Sequence, residues 1–191
     1  TVESRATNYR WIIDPLDGTT NFLHGLPHWA ISIALEQQGE IVAGVVYDPA
    51  KEELFTAEKG GGAYLNDRRI RVSRRNDMSA ALIGCGLPVQ NWKGRRLGFA
   101  RQLEKVSDVA AGVRRLGAAA LDLAYIAAGR QDGWWEYGTK PWDVAAGLLI
   151  IKEAGGRFGR MEGDEDLLAE GTHVAGNPDI YLKLRTILSE V

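Results

Sequence analysis

Apolar residues in the first half of the chain occur in short runs that alternate with small or polar residues and end at turns. These runs lie at residues 11–14, 29–36, 41–47 and 53–58. Such alternation predicts β-strands. The connections are short, as at Gln37-Gln38-Gly39, so we expect consecutive strands to pair antiparallel in a meander.

Helical spacing of apolar residues replaces this pattern in the second half. It predicts helices at residues 94–106, 118–128, 143–154 and 178–188, with short strands at 132–137, 157–160 and 172–175. Strands that alternate with helices favour an α/β arrangement in layers. We therefore predict an antiparallel-sheet lobe at residues 1–92 and an α/β lobe at residues 93–191, with the boundary near residues 91–94.

Length, composition and charge fit an ordinary globular protein. The chain has 191 residues, of which 45% are hydrophobic and 25% charged, enough for one substantial domain or for two small lobes with a shared core. The formal net charge of −2 provides no basic field and argues against nucleic acid as a main partner. The basic run at residues 68–75 is interrupted by Ile70, Val72 and Ser73, which predicts a strand with a solvated cationic face.

Cysteine content and hydropathy indicate the compartment. The single cysteine, Cys85, excludes a disulfide within the chain and is typical of a reducing environment. No apolar run reaches the length of a membrane span, and no signal peptide is visible. We therefore expect a cytoplasmic protein without a membrane partner.

The clearest chemical signal follows the first predicted strand, in Asp14-Pro15-Leu16-Asp17-Gly18-Thr19-Thr20-Asn21. Two carboxylates three positions apart, with the Leu16 carbonyl between them, can present several hard oxygens to one point, as Mg²⁺ requires. Gly18 leaves the neighbouring backbone N–H groups open to phosphate oxygens if a helix begins there. Asp-Gly and Asn are also common turn residues, and alone they favour a solvated loop. The complete run instead predicts metal-assisted phosphate hydrolysis.

The run Trp-Ile-Ile-Asp-Pro-Leu-Asp-Gly-Thr-Thr-Asn-Phe at residues 11–22 resembles the signature motif of the inositol monophosphatase family. A second family motif, Trp-Asp followed by small residues and glycine, resembles the segment at residues 142–147. The resemblance covers essentially the whole chain. It implies an α/β (α+β) fold, a layered αβαβα sandwich of the inositol monophosphatase and sugar phosphatase type, with the first helical layer largely absent from this chain.

The resemblance also implies an Mg²⁺-dependent reaction and a set of site residues. The implied Mg²⁺ ligands are Asp14, the Leu16 carbonyl, Asp17 and Asp143. The implied catalytic residues are Asp14, Asp17 and Thr19, and Thr19 would help to orient the attacking water. We expect direct in-line attack of water on a phosphate monoester, without a phosphoenzyme. The implied product pair is inositol and phosphate.

Further residues are implied to contact the substrate. They are Gly18 and Thr19, whose amides would hold the phosphate, together with Ala119, Glu136 and Asp143. An acid at the spacing of Glu136 from Asp143 hydrogen-bonds hydroxyls of the leaving alcohol in the family, although a surface acid at a strand end is the alternative. Taken alone, Asp143 is better explained as a capping or first-turn acid of a helix. Asp122 is a secondary candidate.

One acidic motif of the family has no counterpart in the chain. The family carries a Glu-Glu pair before the Asp-Pro-x-Asp loop, whose first acid binds the first metal. Only Glu3 precedes Asp14, and it has no acidic neighbour, so this role is not assigned to Glu3. The chain begins with Thr1, not Met, and soon reaches the loop, so we expect that an N-terminal segment is missing.

Several functions remain open at this point. Related phosphatases act on fructose 1,6-bisphosphate, adenosine 3′,5′-bisphosphate or histidinol phosphate, and the loop does not separate these substrates. Glu136 favours a hydroxyl-rich leaving group, so inositol phosphate leads. The chain could also be a regulatory binding protein, because some bacterial members of the family associate with the transcription machinery. In a purely structural alternative, the acids only cap turns and helices. The resemblance further implies a homodimer and sensitivity to Li⁺.

Overall fold

The protein forms two β-sheets with helices packed against them in a computed structural model that describes residues 8–87, 96–161 and 166–190. The strands are β1 (Tyr9–Asp17), β2 (Ala30–Gln37), β3 (Glu40–Asp48), β4 (Glu53–Glu58), β5 (Gly62–Leu65), β6 (Arg68–Arg69), β7 (Leu82–Gly86), β8 (Gly112–Arg114), β9 (Gly133–Thr139), β10 (Arg157–Arg160) and β11 (Gly171–Gly176). The helices are α1 (Thr19–Leu23), α2 (Arg96–Val109), α3 (Ala119–Ala127), α4 (Pro141–Glu153) and α5 (Pro178–Ser189).

The first sheet has six strands in the order β1-β2-β3-β4-β5-β6, all antiparallel, which confirms the predicted meander. Alternate residues of these strands point inward and are buried, among them Ile12, Ala34 and Phe55. They pack with α3 and α4 in one hydrophobic core. Gly44 of β3 allows the close approach of α4, since a Cβ there would lie 3.0 Å from the Ala146 carbonyl oxygen.

The outer face of the first sheet is also apolar but largely uncovered by the described residues. Trp11 and Ile13 are 64% and 52% exposed, and they lie across from Leu35 and Ile33 in the β1–β2 register.

The second sheet is mixed, with the order β10-β11-β9-β7-β8. Strand β7 pairs parallel with both β8 and β9, while β11 pairs antiparallel with β9 and β10. Helices α2 and α5 lie against this sheet. The predicted division placed residues 82–86 in the first lobe, whereas the pairing of β7 puts them in the second sheet. The predicted boundary at residues 91–94 lies outside the described residues.

The predicted strand at residues 68–75 is wrong beyond its first two residues. Only Arg68–Arg69 pair as β6, because the chain then turns away from the sheet edge to other partners. The Val72 N–H donates to the Ala154 carbonyl at the end of α4, and the Ser73 hydroxyl donates to buried Asp132. Arg75 pairs with the same carboxylate. These contacts replace the regular pairing that alternation of apolar and basic residues suggested.

The helices begin and end close to the predicted positions. Helix α4 starts at Pro141, two residues before the predicted start, because proline is well suited to the first helical turn. The predicted start of α2 at residue 94 lies outside the described residues. The longest helix in the described ranges, α2, has 14 residues, and none of the described helices is both long and apolar enough to cross a membrane.

Gly147→Ala tests the packing of α4 against α3. A Cβ at this position would lie 2.6 Å from both Cβ and Cδ1 of Leu123, which is fully buried and cannot move aside. Overpacking of this kind costs about 1–3 kcal/mol of the free energy of unfolding. We expect Tm to fall by about 3–10 °C in a thermal melt. Gly98→Ala in α2 is the control, because its Cβ would meet nothing within 4 Å; an equal loss there would contradict the packing argument.

Candidate active site

A bulge at the end of β1 turns two aspartates to the same side of the first sheet. Asp14 lies across from Ser32 and Asp17 across from Ala30, so three steps along β1 match two steps along β2. Residues two apart on β2 share one face, and therefore Asp14 and Asp17 also share it. Ser32 and Ala30 are buried on the side that carries α3 and α4. The bulge thus directs both acids toward the helices.

The bulge is held by short hydrogen bonds within the loop. Asp14 Oδ1 accepts the Leu16 N–H at 3.0 Å, and the Thr19 hydroxyl donates to the Leu16 carbonyl at 2.8 Å. Burial raises the pKa of Asp14, and the hydrogen bond from Leu16 partly offsets this. The predicted ligands Asp14 and Leu16 and the predicted water-orienting Thr19 therefore lie together.

Gly18 fixes the direction in which the chain leaves the bulge. Its φ of 80° and ψ of 31° are left-handed, and helix α1 begins at the next residue. A Cβ at Gly18 would lie 3.0 Å from the His28 carbonyl oxygen and 3.2 Å from Ala118 Cβ. The predicted condition for phosphate binding, a helix that starts directly after Gly18, is present.

Asp17 links the loop to the start of α3. Its Oδ2 accepts the Ala120 N–H at 2.8 Å, while the N-cap residue of that helix, Ala118, has no side-chain acceptor. Asp17 therefore caps α3 from a distant strand. Burial raises its pKa to about 7; the Ala120 hydrogen bond lowers it, and the negative charges of Asp143 and Asp14 raise it further.

Asp143 reaches the same region from the first turn of α4. Its Oδ2 accepts the Lys140 N–H at 2.8 Å, so the capping role considered as an alternative is present. The start of α4 is tied to β2 through the Ser32 hydroxyl, which donates to the Trp142 carbonyl at 3.3 Å. Burial raises the pKa of Asp143 to about 6, and the charge of Asp14 adds to this. Asp143 therefore caps α4 and is also one of the site's acidic residues.

The charges of Asp14 and Asp143 raise the pKa of Asp17, and the charge of Asp14 raises the pKa of Asp143, so the three carboxyl groups lie within electrostatic range of one another. Three partly buried carboxylates repel each other unless a proton or a cation compensates them. In the described ranges no three acidic, histidine or cysteine side chains already form a metal cluster. The donor chemistry fits Mg²⁺ nevertheless, because carboxylate and carbonyl oxygens are the ligands that this ion prefers.

Two predicted substrate residues border this cluster. Ala119 is the first residue of α3 and is 7% exposed. Glu136 on β9 is half-buried, and its pKa is raised well above its usual value by burial and then by the charges of Asp122, Asp17 and Asp143. The alternative of a freely solvated surface acid at residue 136 does not fit this environment.

Sequence reasoning missed several residues beside the site. The Asn21 side chain donates to the carbonyls of His28 and Leu116, both at 2.8 Å, and fixes the turn before α3. Arg115 is exposed, and its positive charge lowers the pKa of both Asp122 and Glu136. Its position just before the Gly117 turn was an available signal. Asn21 was visible as the end of the loop motif.

The remaining nucleophiles and imidazoles have structural surroundings. Burial raises the pKa of the Cys85 thiol to about 12, so it stays protonated at neutral pH. His173 is fully buried between the Thr139 hydroxyl and the Leu167 carbonyl, and burial lowers its pKa to about 4. Both residues were given no catalytic role from the sequence, and their environments agree.

Comparison with known proteins identifies the relatives of the chain. The model of the inositol monophosphatase family matches residues 1–190. The inositol-1-monophosphatase of Mesorhizobium japonicum is 57% identical over 183 residues, which cover 96% of this chain and 68% of that protein. The Nus factor SuhB of Pseudomonas aeruginosa is 47% identical over 182 residues, which cover 95% of this chain and 67% of that protein.

Solved structures show the same fold. The crystal structure of the extragenic suppressor protein suhB from Bartonella henselae superposes with a TM-score of 0.92 at 48% identity. The match covers 98% of this chain and 74% of that one. The predicted layered α/β sandwich is therefore confirmed.

Proposed function

Because this chain belongs to the inositol monophosphatase family, we propose that it hydrolyses phosphate monoesters with Mg²⁺ and that inositol monophosphate is its substrate. The observation that supports the proposal is that Asp14 and Asp17 of β1 lie within electrostatic range of Asp143 of α4, and that α1 begins two residues after Asp17. Hard oxygen donors next to a phosphate-binding turn are the parts that metal-assisted phosphate hydrolysis needs.

Mg²⁺ would be held by Asp14, the Leu16 carbonyl, Asp17 and Asp143. When bound, it would stabilise negative charge on phosphate oxygens and make a water more acidic. The capping hydrogen bonds to Ala120 and Lys140 hold Asp17 and Asp143 in place before the substrate arrives.

Thr19 serves two purposes in this scheme. Its hydroxyl proton is donated to the Leu16 carbonyl, so a lone pair of the same oxygen can accept a hydrogen bond from water and orient that water for in-line attack. The Gly18 and Thr19 amides lie at the N-terminal end of α1. The N–H groups at this end have no partner within the helix, and these two would bind phosphate oxygens.

Glu136 and Ala119 lie on the side of the leaving alcohol. The half-buried Glu136 carboxyl would bind hydroxyl groups of that alcohol, and the Ala119 backbone would contact its ring. The name of the Mesorhizobium relative supports inositol phosphate as the substrate. A cytoplasmic homodimer that is inhibited by Li⁺ stays a prediction from the family resemblance.

A phosphate-release panel tests the substrate. We expect Mg²⁺-dependent release from inositol 1-phosphate to exceed release from fructose 1,6-bisphosphate, adenosine 3′,5′-bisphosphate and histidinol phosphate by at least about tenfold in kcat/KM. Histidinol lacks the ring hydroxyl groups that Glu136 would bind, and each bisphosphate would bring a second negatively charged phosphate to a site that already holds several acidic groups. Each substrate is measured with Mg²⁺ and with EDTA. A higher kcat/KM for one of the other three esters would overturn inositol phosphate as the substrate.

A second function is favoured by one finding, the 47% identity to a Nus factor. In that case the chain would bind a component of the transcription machinery through its surface, and catalysis could coexist with binding. Asp17→Asn separates the two activities, since it replaces a carboxylate inside the site by a neutral amide and leaves the surface intact. Partner binding that survives this change while phosphate release is lost would support both roles.

A further inference from the structure

Gly86 lies at the end of β7, directly across from Glu136 in the parallel β7–β9 pair. A Cβ at Gly86 would lie 1.8 Å from Glu136 Cδ, and 1.9 and 2.3 Å from the two carboxyl oxygens. No real Cβ approaches other atoms so closely. The Glu136 carboxyl group therefore occupies the space that any side chain at residue 86 would fill.

Gly84 is a second residue without a side chain on the same face of β7. A Cβ there would lie 2.4 Å from Gln131 Oε1 and 3.0 Å from Trp134 Cδ1. Gln131 in turn donates to buried Asp122 at 2.9 Å. Because residues 84 and 86 have no side chains, the polar side chains of Gln131 and Glu136 lie directly against the backbone of β7.

The missing side chain at residue 86 is important because a glutamate side chain can rotate about three bonds, and the Glu136 carboxyl group could therefore move out of the site. Glu136 is half-buried among acidic groups, so an ionised carboxylate there gains solvation by moving outward. Space above Gly86 lets the side chain lie against β7 and keep its carboxyl group at the edge of the acidic cluster. A larger residue at 86 would remove that position.

We propose that Gly86 is a positioning residue that sets selectivity for polyhydroxylated leaving alcohols, because its missing side chain lets the Glu136 carboxyl group face the alcohol of the substrate. This inference rests on the proposed function. It extends the site to a strand that carries none of the residues assigned from the sequence.

Gly86→Ala tests the proposal without disturbing the core. The atoms that clash are the far end of a flexible side chain, so the protein folds and the carboxyl group is displaced. We expect kcat/KM for inositol 1-phosphate to fall about 10–100-fold, as for loss of a hydrogen bond to a charged group. For p-nitrophenyl phosphate, which has no hydroxyl groups on its leaving group, the loss should be under about threefold. Gly98→Ala, whose Cβ meets nothing within 4 Å, is the matched control and should change neither value.

A double-mutant cycle shows whether Gly86 acts through Glu136. Glu136→Ala alone should reduce the selectivity ratio as much as Gly86→Ala, and the two changes together should reduce it no further. Additive losses would overturn the proposal, as would an unchanged ratio in Gly86→Ala. If the unaltered chain releases phosphate from neither ester with Mg²⁺, the proposed function itself fails. Activity on both esters with the ratio unaffected by Gly86→Ala rejects only the role of Gly86.

Discussion

Asp17→Asn is expected to lower Mg²⁺-dependent phosphate release by at least about 10²-fold while the fold stays intact. Even residues that only hydrogen-bond to a metal ligand are worth about 10–100-fold in metal affinity or activity, so loss of a direct ligand should cost more. The asparagine oxygen can still accept the Ala120 N–H, and α3 therefore keeps its cap. Initial rates of phosphate release from inositol 1-phosphate, with Asp108→Asn on the exposed side of α2 as the control, measure the effect.

The same substitution should stabilise the metal-free protein at neutral pH. The pKa of Asp17 is about 7 in the folded protein, raised chiefly by burial, against 3.8 for an ordinary aspartate. Between these values the folded state binds more protons than the unfolded state, so the free energy of unfolding falls as pH rises through this window. Asparagine has no such proton. We expect Asp17→Asn to be about 1–3 kcal/mol more stable at pH 7.5 and about equal at pH 4.

Urea denaturation in EDTA at these two pH values measures the difference. Asp108→Asn should show no comparable gain at pH 7.5. A metal-free Asp17→Asn protein that is less stable than the unaltered chain at pH 7.5 would show that the carboxylate is not electrostatically strained. Carboxylates that destabilise the metal-free protein, but bind the cation that activity requires, are a common compromise between stability and function.

Asp143 allows the structural and chemical roles of one side chain to be separated. Asp143→Asn keeps an oxygen for the Lys140 N–H, whereas Asp143→Ala loses it. Both variants lose a carboxylate ligand, so both should lose at least about 10²-fold in Mg²⁺-dependent phosphate release. Both are uncharged at residue 143, so the difference in stability between them reports the cap. We expect Asp143→Asn to be about 0.5–1 kcal/mol more stable than Asp143→Ala.

Rates of phosphate release and urea midpoints for the two variants make this comparison. Asp143→Ala with rates within tenfold of the unaltered chain would remove Asp143 from the ligand set. Equal stability of the two variants would instead show that the Lys140 hydrogen bond contributes nothing to α4.

Local patterns predicted much of the first sheet. Alternation and turn residues placed β2 to within one residue at each end, and β4 was predicted with its bounds. The loop at residues 14–21 was recognisable because its chemistry is local, with two carboxylates, a carbonyl and a glycine in a short run. The same run left open a helix beginning beside Gly18, and α1 does begin at Thr19, but the left-handed conformation of Gly18 was not predicted.

Long-range contacts could not be read in this way. The bond from Asp17 to Ala120 joins residues 103 positions apart, and no local pattern reveals it. Strand β7 was missed because Leu82–Gly86 is short and rich in glycine, and its pairing with β9 decides where Glu136 lies. Residues 70–75 alternate as a strand should, yet only the Ile70 N–H still bonds to β5, and hydrogen bonds of Val72 to Ala154 and of Ser73 to Asp132 take the chain away from the sheet.

In the proposed function, the carboxylates of β1 and α4 support Mg²⁺-dependent phosphate hydrolysis. Its most direct test is the release of inorganic phosphate from inositol 1-phosphate by the unaltered chain and by Asp17→Asn, each measured with Mg²⁺ and with EDTA. We expect release by the unaltered chain with Mg²⁺, and a loss of at least about 10²-fold both in EDTA and in the variant. Equal rates in the two proteins, or release that persists in EDTA, would contradict it.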